Sequence, residues 1–421
     1  MNTLLALPLE ARLAGLFVLG LMLGSGVNWA IYSLAWDPRA ISPWSPTPPK
    51  APRRTWFDRL PLVGWLGLRR EATLHGRGFW IRPLVIELAT GVSLAWLYHW
   101  EVHGGLLAEP IIPALVSAAA LHAQYLAHAV LFLLLMVATF IDFDEKTIPD
   151  AITIPGVAFG LLIVTLWPNA LLPVPVQVPN MSVWTAGPLW LTSSSTDWPK
   201  WLDGWQGLLL GLAGLWAWCL AVTPTTTTMR RGLGKGIQFV FVSLVRSGAW
   251  RQFVVLAAIG TLGASAAWWV GGDHWRGMLT AIAGIVLGGG LVWSIRIVGS
   301  LALHKEALGF GDVTLMAMIG AFLGWQATWV IFFVSPLAAI VVSVVNWALT
   351  GKRDLPFGPY LALAAAVVVV RWAWLWTNYA QPIFSLGWLL LAILAACLML
   401  MMGLLMLWRI TEEWIHGKRE A

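Results

Sequence analysis

The stretch that decides how this chain is organised is Ala307-Leu308-Gly309-Phe310-Gly311-Asp312-Val313-Thr314-Leu315. It places one carboxylate, behind two glycines, at the start of an apolar helix that continues from Met316 to Leu323. A carboxylate at the edge of the hydrocarbon region is costly and indicates a functional site. On its own, Asp312 is also compatible with a helix N-cap, where its charge lies at the positive end of the helix dipole.

A second acidic group ends another apolar run, in Ile141-Asp142-Phe143-Asp144-Glu145-Lys146-Thr147-Ile148-Pro149-Asp150. Residues two apart do not share a helix face, so Asp142 and Asp144 cannot both point toward Asp312 if the helix continues through them. Asp142 follows the hydrophobic run directly, and we therefore predict that it pairs with Asp312. Asp144, Glu145 and Asp150 are then expected to lie on a solvated face.

The composition is that of a polytopic membrane protein. Of the 421 residues, 59% are hydrophobic and only 11% are charged, whereas soluble domains carry roughly 25% charged residues. We interpret the net charge of +6 as loop bias and not as affinity for nucleic acid. Cys219 and Cys397 both lie in apolar runs and supply neither a disulfide framework nor a cysteine metal site. No metal and no nucleic-acid partner are expected.

The apolar runs are long enough to cross a bilayer as helices. They predict an all-α fold, a polytopic integral membrane helical bundle with about eleven transmembrane helices. We interpret the first run as a retained span and not as a cleaved signal peptide. The runs lie at about 13–36, 84–100, 113–141, 151–167, 205–223, 252–271, 278–300, 313–325, 327–349, 359–378 and 386–408.

Lysine and arginine residues in the short loops predict the orientation. The loop 37–83, called here the basic loop, contains nine of them against three acidic residues, which places it in the cytoplasm. Counting spans from there puts Asp142 and Asp312 at the same, cytoplasmic membrane surface, although distant parts of the sequence supply them. The other basic segments on that side are the connection 224–251, the loop 350–358 and the tail after Trp408.

These patterns divide the chain into seven segments. The Pro- and Ser-rich segment 168–204 is predicted to be an extended, partly mobile loop outside the cell membrane. The apolar piece Ile237 to Val245 is a candidate to lie on the membrane surface. The spans of 205–300 contain one acidic residue, Asp273, in an external turn, so we expect them to be dispensable for chemistry. The segments are a first span (1–36), the basic loop (37–83), spans with Asp142 (84–167), the external loop (168–204), inserted spans (205–300), spans with Asp312 (301–378) and an extra C-terminal span with its tail (379–421).

Two carboxylates held close together cannot both ionise, so one keeps a proton near neutral pH. The charged partner can take a proton from water while the protonated one polarises a peptide carbonyl, which is aspartic-type peptide hydrolysis without a metal. Two alternatives remain open: an ion or proton pathway, where buried carboxylates also occur, and a purely structural pair. His122 and His128 are expected to be satisfied by neighbouring helices, because His128 lies roughly 21 Å before Asp142 along the helix.

At these residues the chain resembles the type IV prepilin leader peptidases, which are grouped with the GxGD membrane aspartyl proteases. The stretch Ile141 to Asp150 is similar to the first-aspartate block of that family. Gly309-Phe310-Gly311-Asp312, followed by Gly320 to Gln326, is similar to its second-aspartate block. The resemblance extends to Gly24–Tyr32 and Pro356–Ala362, and so covers most of the chain.

The resemblance implies that Asp142 and Asp312 are the catalytic pair of an endopeptidase. The implied substrate is the N-terminal leader of a pilin-like or pseudopilin precursor, cut at the cytoplasmic face of the inner (plasma) membrane. Many family members also methylate the new N-terminus with S-adenosylmethionine, whereas proteolysis itself needs no cofactor. The supporting residues implied by matching positions are Gly309, Gly311, Asp144, Arg82 and Glu87.

The basic loop departs from the family pattern. Many bacterial members carry two C-x-x-C pairs there, whereas Ala72 and His75 stand at the second pair of this chain, and Thr47 and Lys50 roughly at the first. Without cysteines a zinc site of the usual kind cannot form. We therefore predict a metal-free loop, and N-methylation stays open. Thr314 also stands where the family usually has lysine or arginine.

Three functions are compatible with these residues. The first is the membrane aspartic endopeptidase. The second, from another class, is a polytopic transporter or channel that uses Asp142 and Asp312 for proton or cation coupling. The third is a catalytically silent scaffold of a secretion complex. The chain lacks the paired, interrupted spans in two related halves that are typical of many transporters, and this favours the peptidase.

Overall fold

The computed structural model describes residues 7–49, 51–192, 198–223, 246, 248–304, 307–350 and 356–417. Within these ranges ten helices of 13 residues or more form the bundle. They are α1 (Leu9–Ser33), α2 (Ile81–Val102), α3 (Ala118–Glu145), α4 (Asp150–Leu166), α5 (Trp205–Ala221), α6 (Trp250–Val270), α7 (Gly272–Leu303), α8 (Phe310–Thr350), α9 (Gly358–Val370) and α10 (Trp388–Gly417).

The helices confirm an all-α polytopic membrane fold. Seven of the described helices are long and apolar enough to cross a membrane, or eight if the bent pair Gly358–Val370 and Trp372–Phe384 is one span. The helices α4 and α5 are apolar but only 17 residues long. The helix α8 is broken at Gly324, whose φ of 77° is open to glycine. The two short helices and this break account for the difference from the eleven crossings predicted.

The first part of α8 lies at the centre of the bundle, and every residue from Val313 to Leu323 is buried. The helix α7 crosses it where Gly284 meets Gly320, and a Cβ on either glycine would collide with the backbone of the other. Glycines at such a crossing let two helix backbones approach closely in lipid, where packing rather than water exclusion holds helices together. The helix that carries Asp312 is therefore held directly by α7.

The segment 168–204 is a folded hairpin, and not an extended loop, over its described residues. The strand β1 (Pro173–Gln177) pairs antiparallel with β2 (Trp184–Pro188). Trp372 donates its indole N–H to the Pro173 carbonyl at 2.9 Å, and Gln326 donates to the Trp190 carbonyl at 2.7 Å. Proline is tolerated in this two-stranded ribbon because both strands are edge strands, in which some backbone N–H groups face away from the partner strand and form no ladder hydrogen bond. Residues 193–197 lie outside the described residues.

The basic loop is also folded. Arg54 and Glu71 form an ion pair, Nη2 to Oε2 at 2.7 Å, in which both side chains are buried. Arg70 pairs with Asp58, Nη2 to Oδ2 at 2.5 Å. Arg54 also donates to the carbonyl of Ser42 at 2.7 Å. The loop is built from the 3-10 turns Trp56–Arg59 and Leu68–Glu71 and the short helices Val63–Gly67 and Ala72–His75.

The remaining short elements connect the long helices. They are the 3-10 turns Pro113–Leu115, Pro168–Ala170 and Lys200–Leu202, the helical turns Trp372–Leu375 and Gln381–Phe384, and the π-helix Trp376–Ala380. Three predicted features fall outside the described residues, in whole or in large part. They are the membrane-surface piece Ile237 to Val245, most of the connection 224–251 and most of the loop 350–358.

Candidate active site

Asp142 lies in the last turn of α3. The helix continues through Asp144 and Glu145, and Lys146 then ends it in the left-handed conformation with φ of 56°. The Lys146 N–H donates to the Asp142 carbonyl at 2.8 Å, so the helix is intact at the aspartate. This agrees with the prediction that Asp142 and Asp144 face different directions.

Asp312 is the third residue of α8, which begins at Phe310. Its carboxylate accepts a hydrogen bond from the backbone N–H of Gly309, the residue just before the helix. A carboxylate at the third helical position often reaches back to that N–H. Asp312 is therefore not the N-cap residue of the alternative prediction; it lies in the first turn of α8 and binds the backbone N–H of the preceding Gly309.

The structure brings Asp142 and Asp312 together at one end of the bundle. Both are buried, with 4% and 8% of their surface exposed, and the Asp142 carboxylate lies close enough to act electrostatically on Asp312. Asp142 Oδ2 also accepts the backbone N–H of Gly358 at 3.1 Å. Gly358 is the first residue of α9, so the positive end of that helix points at the pair.

Glycines and Ile148 make this close approach possible. A Cβ on Gly311 would lie 2.9 Å from Cβ of Ile148, three residues after the end of α3 in the first acidic stretch. A Cβ on Gly358 would lie 2.5 Å from Asp142 Oδ2. Gly309 has more room, because its nearest contact would be Asp312 Oδ2 at 3.5 Å. Gly311 and Gly358 therefore leave no space for a side chain, and Ile148 crowds both of them.

Asp144 points away from the pair and is held by two arginines. It accepts from Arg39 at 2.6 Å and from Arg82 at 2.7 Å. Arg82 also donates to the Phe140 carbonyl at 3.2 Å. The residue is exposed, as predicted for a solvated face, but its carboxylate is part of an ion-pair cluster. The arginines near the ends of the first two spans were the sequence signal for this cluster.

Glu145 differs from the solvated residue that we predicted. Its carboxylate accepts the backbone N–H groups of Trp36 at 2.7 Å and Asp37 at 3.2 Å. These contacts tie the end of α3 to the chain that leaves α1. Pattern alone did not indicate this role, because the donors are backbone groups more than 100 residues earlier.

Glu87 is fully buried and belongs to a different cluster. Its carboxylate accepts from the Leu62 N–H at 2.6 Å and from the Trp65 indole at 2.8 Å. Asn28 lies at the same carboxylate, at 3.5 Å, and donates to the Pro83 carbonyl at 2.9 Å. Glu87 therefore fastens the basic loop to α1 and α2. Its hydrogen bonds, as far as the structure describes them, involve neither of the paired aspartates.

The histidines of α3 and the acidic residues of the basic loop lie outside the aspartate pair. His122 contacts the Tyr98 hydroxyl at 3.0 Å, and His128 Nδ1 contacts Glu101 at 2.7 Å. Both histidines thus find a partner on α2, although the buried Nε2 of His128 has no hydrogen-bond partner among the described residues. Across the described ranges, no group of three or more His, Cys, Asp and Glu residues is arranged to hold a metal. In the basic loop, the Arg70 guanidinium holds the pKa of Asp58 below its usual value.

Residues 250–344 match a family model described as the type IV leader peptidase family. The matched range includes α6, α7 and Asp312, so it overlaps the region that we predicted to be inserted. Asp142 lies before the range, and its pairing with Asp312 is therefore a result of the structure. The resemblance to type IV leader peptidases that the sequence motifs indicated is confirmed.

The chain is similar to several proteins named prepilin leader peptidase/N-methyltransferase. It is 35% identical to the one from Escherichia coli (strain K12) over 97 residues, which are 23% of this chain and 43% of the relative. It is 33% identical to the one from Aeromonas hydrophila over 107 residues, 24% of this chain and 37% of the relative. The Myxococcus xanthus relative is 29% identical over 153 residues, 35% of this chain and 38% of the relative. These matches span about two fifths of the relatives' length. No solved structure matches significantly.

Proposed function

We propose that this chain, as a relative of the type IV leader peptidases, is an integral membrane aspartic endopeptidase that removes the N-terminal leader of pilin-like precursors. The observation that carries the proposal is the pair Asp142 and Asp312. The two carboxylates stand 170 positions apart in the sequence, yet both are buried at one end of a membrane bundle, close enough for Asp142 to act electrostatically on Asp312. Burying two like charges together is costly unless they share a proton.

The pair provides an acid and a base for peptide hydrolysis. The ionised carboxylate removes a proton from a water molecule, whose oxygen attacks the carbonyl carbon of the scissile peptide. The protonated carboxyl group donates a hydrogen bond to the carbonyl oxygen and stabilises the charge that develops there. The leaving nitrogen then takes a proton, and the peptide bond breaks. The N–H of Gly358 keeps Asp142 in place during this cycle.

The substrate is proposed to approach from the cytoplasmic side of the inner membrane. The basic loop and both aspartates lie at the same end of the bundle, as the contact of Arg82 with Asp144 requires, and the charge rule assigns that end to the cytoplasm. A pilin-like precursor whose leader precedes an apolar helix would present its scissile bond at this depth. The transporter or channel alternative is not favoured, because the relatives are named as peptidases.

The proposal is tested by co-expressing a pilin-like precursor with the wild-type protein, Asp142→Asn, Asp312→Asn or the double variant. Leader removal is measured by mass spectrometry, and each variant is checked for equal amounts in the membrane. Groups that act as a unit show non-additive losses, so all three variants should be about equally inactive, by several orders of magnitude. The wild-type rate should be bell-shaped in pH. Substantial cleavage by either single variant would contradict the aspartic mechanism and would favour the transporter or channel hypothesis.

N-methylation of the new N-terminus is a second candidate activity, because the names of the relatives include it. S-adenosylmethionine would supply the methyl group. In this chain Arg82 holds Asp144, and both oxygens of Glu87 accept hydrogen bonds from the basic loop. These residues do not fit an open cofactor site, so we assign none to the cofactor. Mass spectrometry of the processed pilin decides the matter, since methylation adds the mass of one methyl group.

A further inference from the structure

Part of the basic loop lies well below the ends of the helices that it connects. Leu62 and Trp65 both donate to Glu87, and Glu87 is six residues into α2, about 9 Å along the helix axis. On the other side, Gly24 packs against Cα of Glu87. Gly24 lies nine residues before the end of α1, about 14 Å along the axis. Leu62 and Trp65 therefore lie beside the first turns of α2 and the last turns of α1, below the level of the helix ends that the loop connects.

The loop exposes large apolar side chains at this depth. Trp65 and Leu68 are buried toward α2, with 1% and 0% of their surface exposed, whereas the opposite side of the same segment is open. Trp56 and Phe57 stack on each other with ring centroids 3.8 Å apart. We call the open side the apolar edge: Trp56 (62% exposed), Phe57 (55%), Leu60 (38%), Val63 (57%) and Leu66 (46%). A group of large exposed apolar side chains within one short segment indicates an interaction site.

Two exposed arginines accompany the apolar edge. The guanidinium of Arg59 lies over the Trp44 ring at 5.2 Å from its centroid, and that of Arg69 lies over the Trp80 ring at 4.3 Å. Trp44 is itself anchored to α1, because its indole donates to Ser25 Oγ at 3.1 Å. Tryptophan and arginine at this level are typical of the boundary between acyl chains and headgroups.

We propose that the apolar edge is seated in the cytoplasmic leaflet of the bilayer, with Arg59 and Arg69 at the phosphates of acidic phospholipids. Lipid is the occupant that fits, because Leu62 and Trp65 tie this segment to α2, a candidate membrane span that itself exposes Ile81 and Val85. Its arginines also complement the negative surface potential of that leaflet. The basic loop is then an interfacial element of the membrane part and not a domain in the aqueous phase. This inference does not depend on the peptidase activity.

The test uses the full-length protein reconstituted into vesicles of phosphatidylcholine and phosphatidylglycerol. In a background with Cys219→Ala and Cys397→Ser, a spin label is attached at Phe57→Cys or at Val63→Cys. The matched control is Arg77→Cys, an exposed residue of the same loop four positions before α2 begins. We expect the labels at 57 and 63 to collide more often with oxygen, which dissolves in lipid, than with a water-soluble nickel chelate. The label at 77 should show the opposite preference.

Three outcomes would overturn the proposal or a part of it. Nickel access at 57 and 63 equal to that at 77 would mean that the edge faces water. Shielding from both reagents would mean that protein covers it, either the apolar helix of a substrate or a second copy of the chain. For the headgroup contact, the double variant Arg59→Gln, Arg69→Gln should shift the label at 57 toward water in vesicles that contain phosphatidylglycerol. No such shift, or an equal one in pure phosphatidylcholine, would contradict the role of the arginines.

Discussion

Gly358 donates its backbone N–H to Oδ2 of Asp142 at 3.1 Å, across 216 positions of sequence. The bond joins the last turn of α3 to the first residue of α9, and the same carboxylate acts electrostatically on Asp312. The distant helix α3 and the consecutive helices α8 and α9 thus converge on one buried group. A site of this kind is sensitive to small displacements of any of its three supports, and the first prediction uses this property.

Gly358→Ala should impair cleavage although both aspartates remain. The new Cβ would lie 2.5 Å from Asp142 Oδ2, so the carboxylate or α9 must move. A displacement of about 1 Å at a reacting group can cost roughly 100-fold in rate. Cleavage is measured on a pilin-like precursor, and Gly403→Ala in α10 is the control, because its Cβ would meet nothing within 4 Å. Equal activity of the two variants would contradict the support role of Gly358.

Asp144→Asn should keep much of the activity that Asp142→Asn loses. The Asp144 carboxylate is bound to Arg39 and Arg82, and it faces away from the pair. Both arginines are partly exposed, with 39% and 36% of their side chains accessible, so each ion pair contributes about 0.2–1 kcal/mol to stability. We expect a modest loss of thermal stability and a rate within about tenfold of wild type. A rate as low as that of Asp142→Asn would place Asp144 in the chemistry.

Gly284→Ala should destabilise the protein, although Gly284 lies in the region 205–300. We predicted that this region is dispensable for chemistry, and we now restrict that prediction to α5, because α7 packs on the helix of Asp312. Overpacking of a tight crossing costs typically 1–3 kcal/mol. Gly290→Ala on the same helix is the control, since its Cβ would meet nothing within 4 Å. Thermal unfolding and leader cleavage should both separate the two variants, and indistinguishable variants would show that the crossing tolerates a methyl group.

The basic loop should work without a metal. Its ion pairs Arg54–Glu71 and Arg70–Asp58 link the segments of the loop, and the loop contains no cysteine. Cleavage should therefore survive strong chelators, and metal analysis of the purified protein should find far less than one zinc per chain. Stoichiometric zinc, or a loss of activity that added zinc restores, would refute this prediction.

The Asp58–Arg70 pair should give the loop an acid-sensitive contribution to stability. Because Arg70 lowers the pKa of Asp58 in the folded state, the contribution is present above the unfolded pKa of about 3.9. It is lost as the pH falls through the lower, folded pKa. Arg70 is one-third exposed, so the contribution should be about 1 kcal/mol or less. Thermal unfolding followed by tryptophan fluorescence should give a higher unfolding temperature for wild type than for Asp58→Asn at pH 7. This difference in unfolding temperature should shrink below pH about 4. A constant difference would contradict the linkage.

The sequence alone determined most of what depends on local pattern. Apolar runs of membrane length predicted the helices. The run 151–167 matches α4 (Asp150–Leu166), and the division between the runs 313–325 and 327–349 falls beside the break at Gly324. Asp142 ends one apolar run and Asp312 begins another. Counting the predicted membrane crossings between them was enough to place both residues at the same membrane surface. Helical spacing was sufficient to separate Asp142 from Asp144, because side chains two apart cannot share a face.

Only the tertiary structure decided the contacts that join distant segments. Glu145 binds the N–H groups of Trp36 and Asp37, and Glu87 anchors the basic loop. The strands β1 and β2 of the proline-rich segment form a hairpin that Trp372 binds through the Pro173 carbonyl. No repeating pattern in the sequence predicts these contacts. Each depends on how the helices pack and on which backbone groups at the helix ends are left without a partner inside the helix. Hydropathy and charge place a residue along the membrane normal, but packing decides which neighbour it meets at that depth.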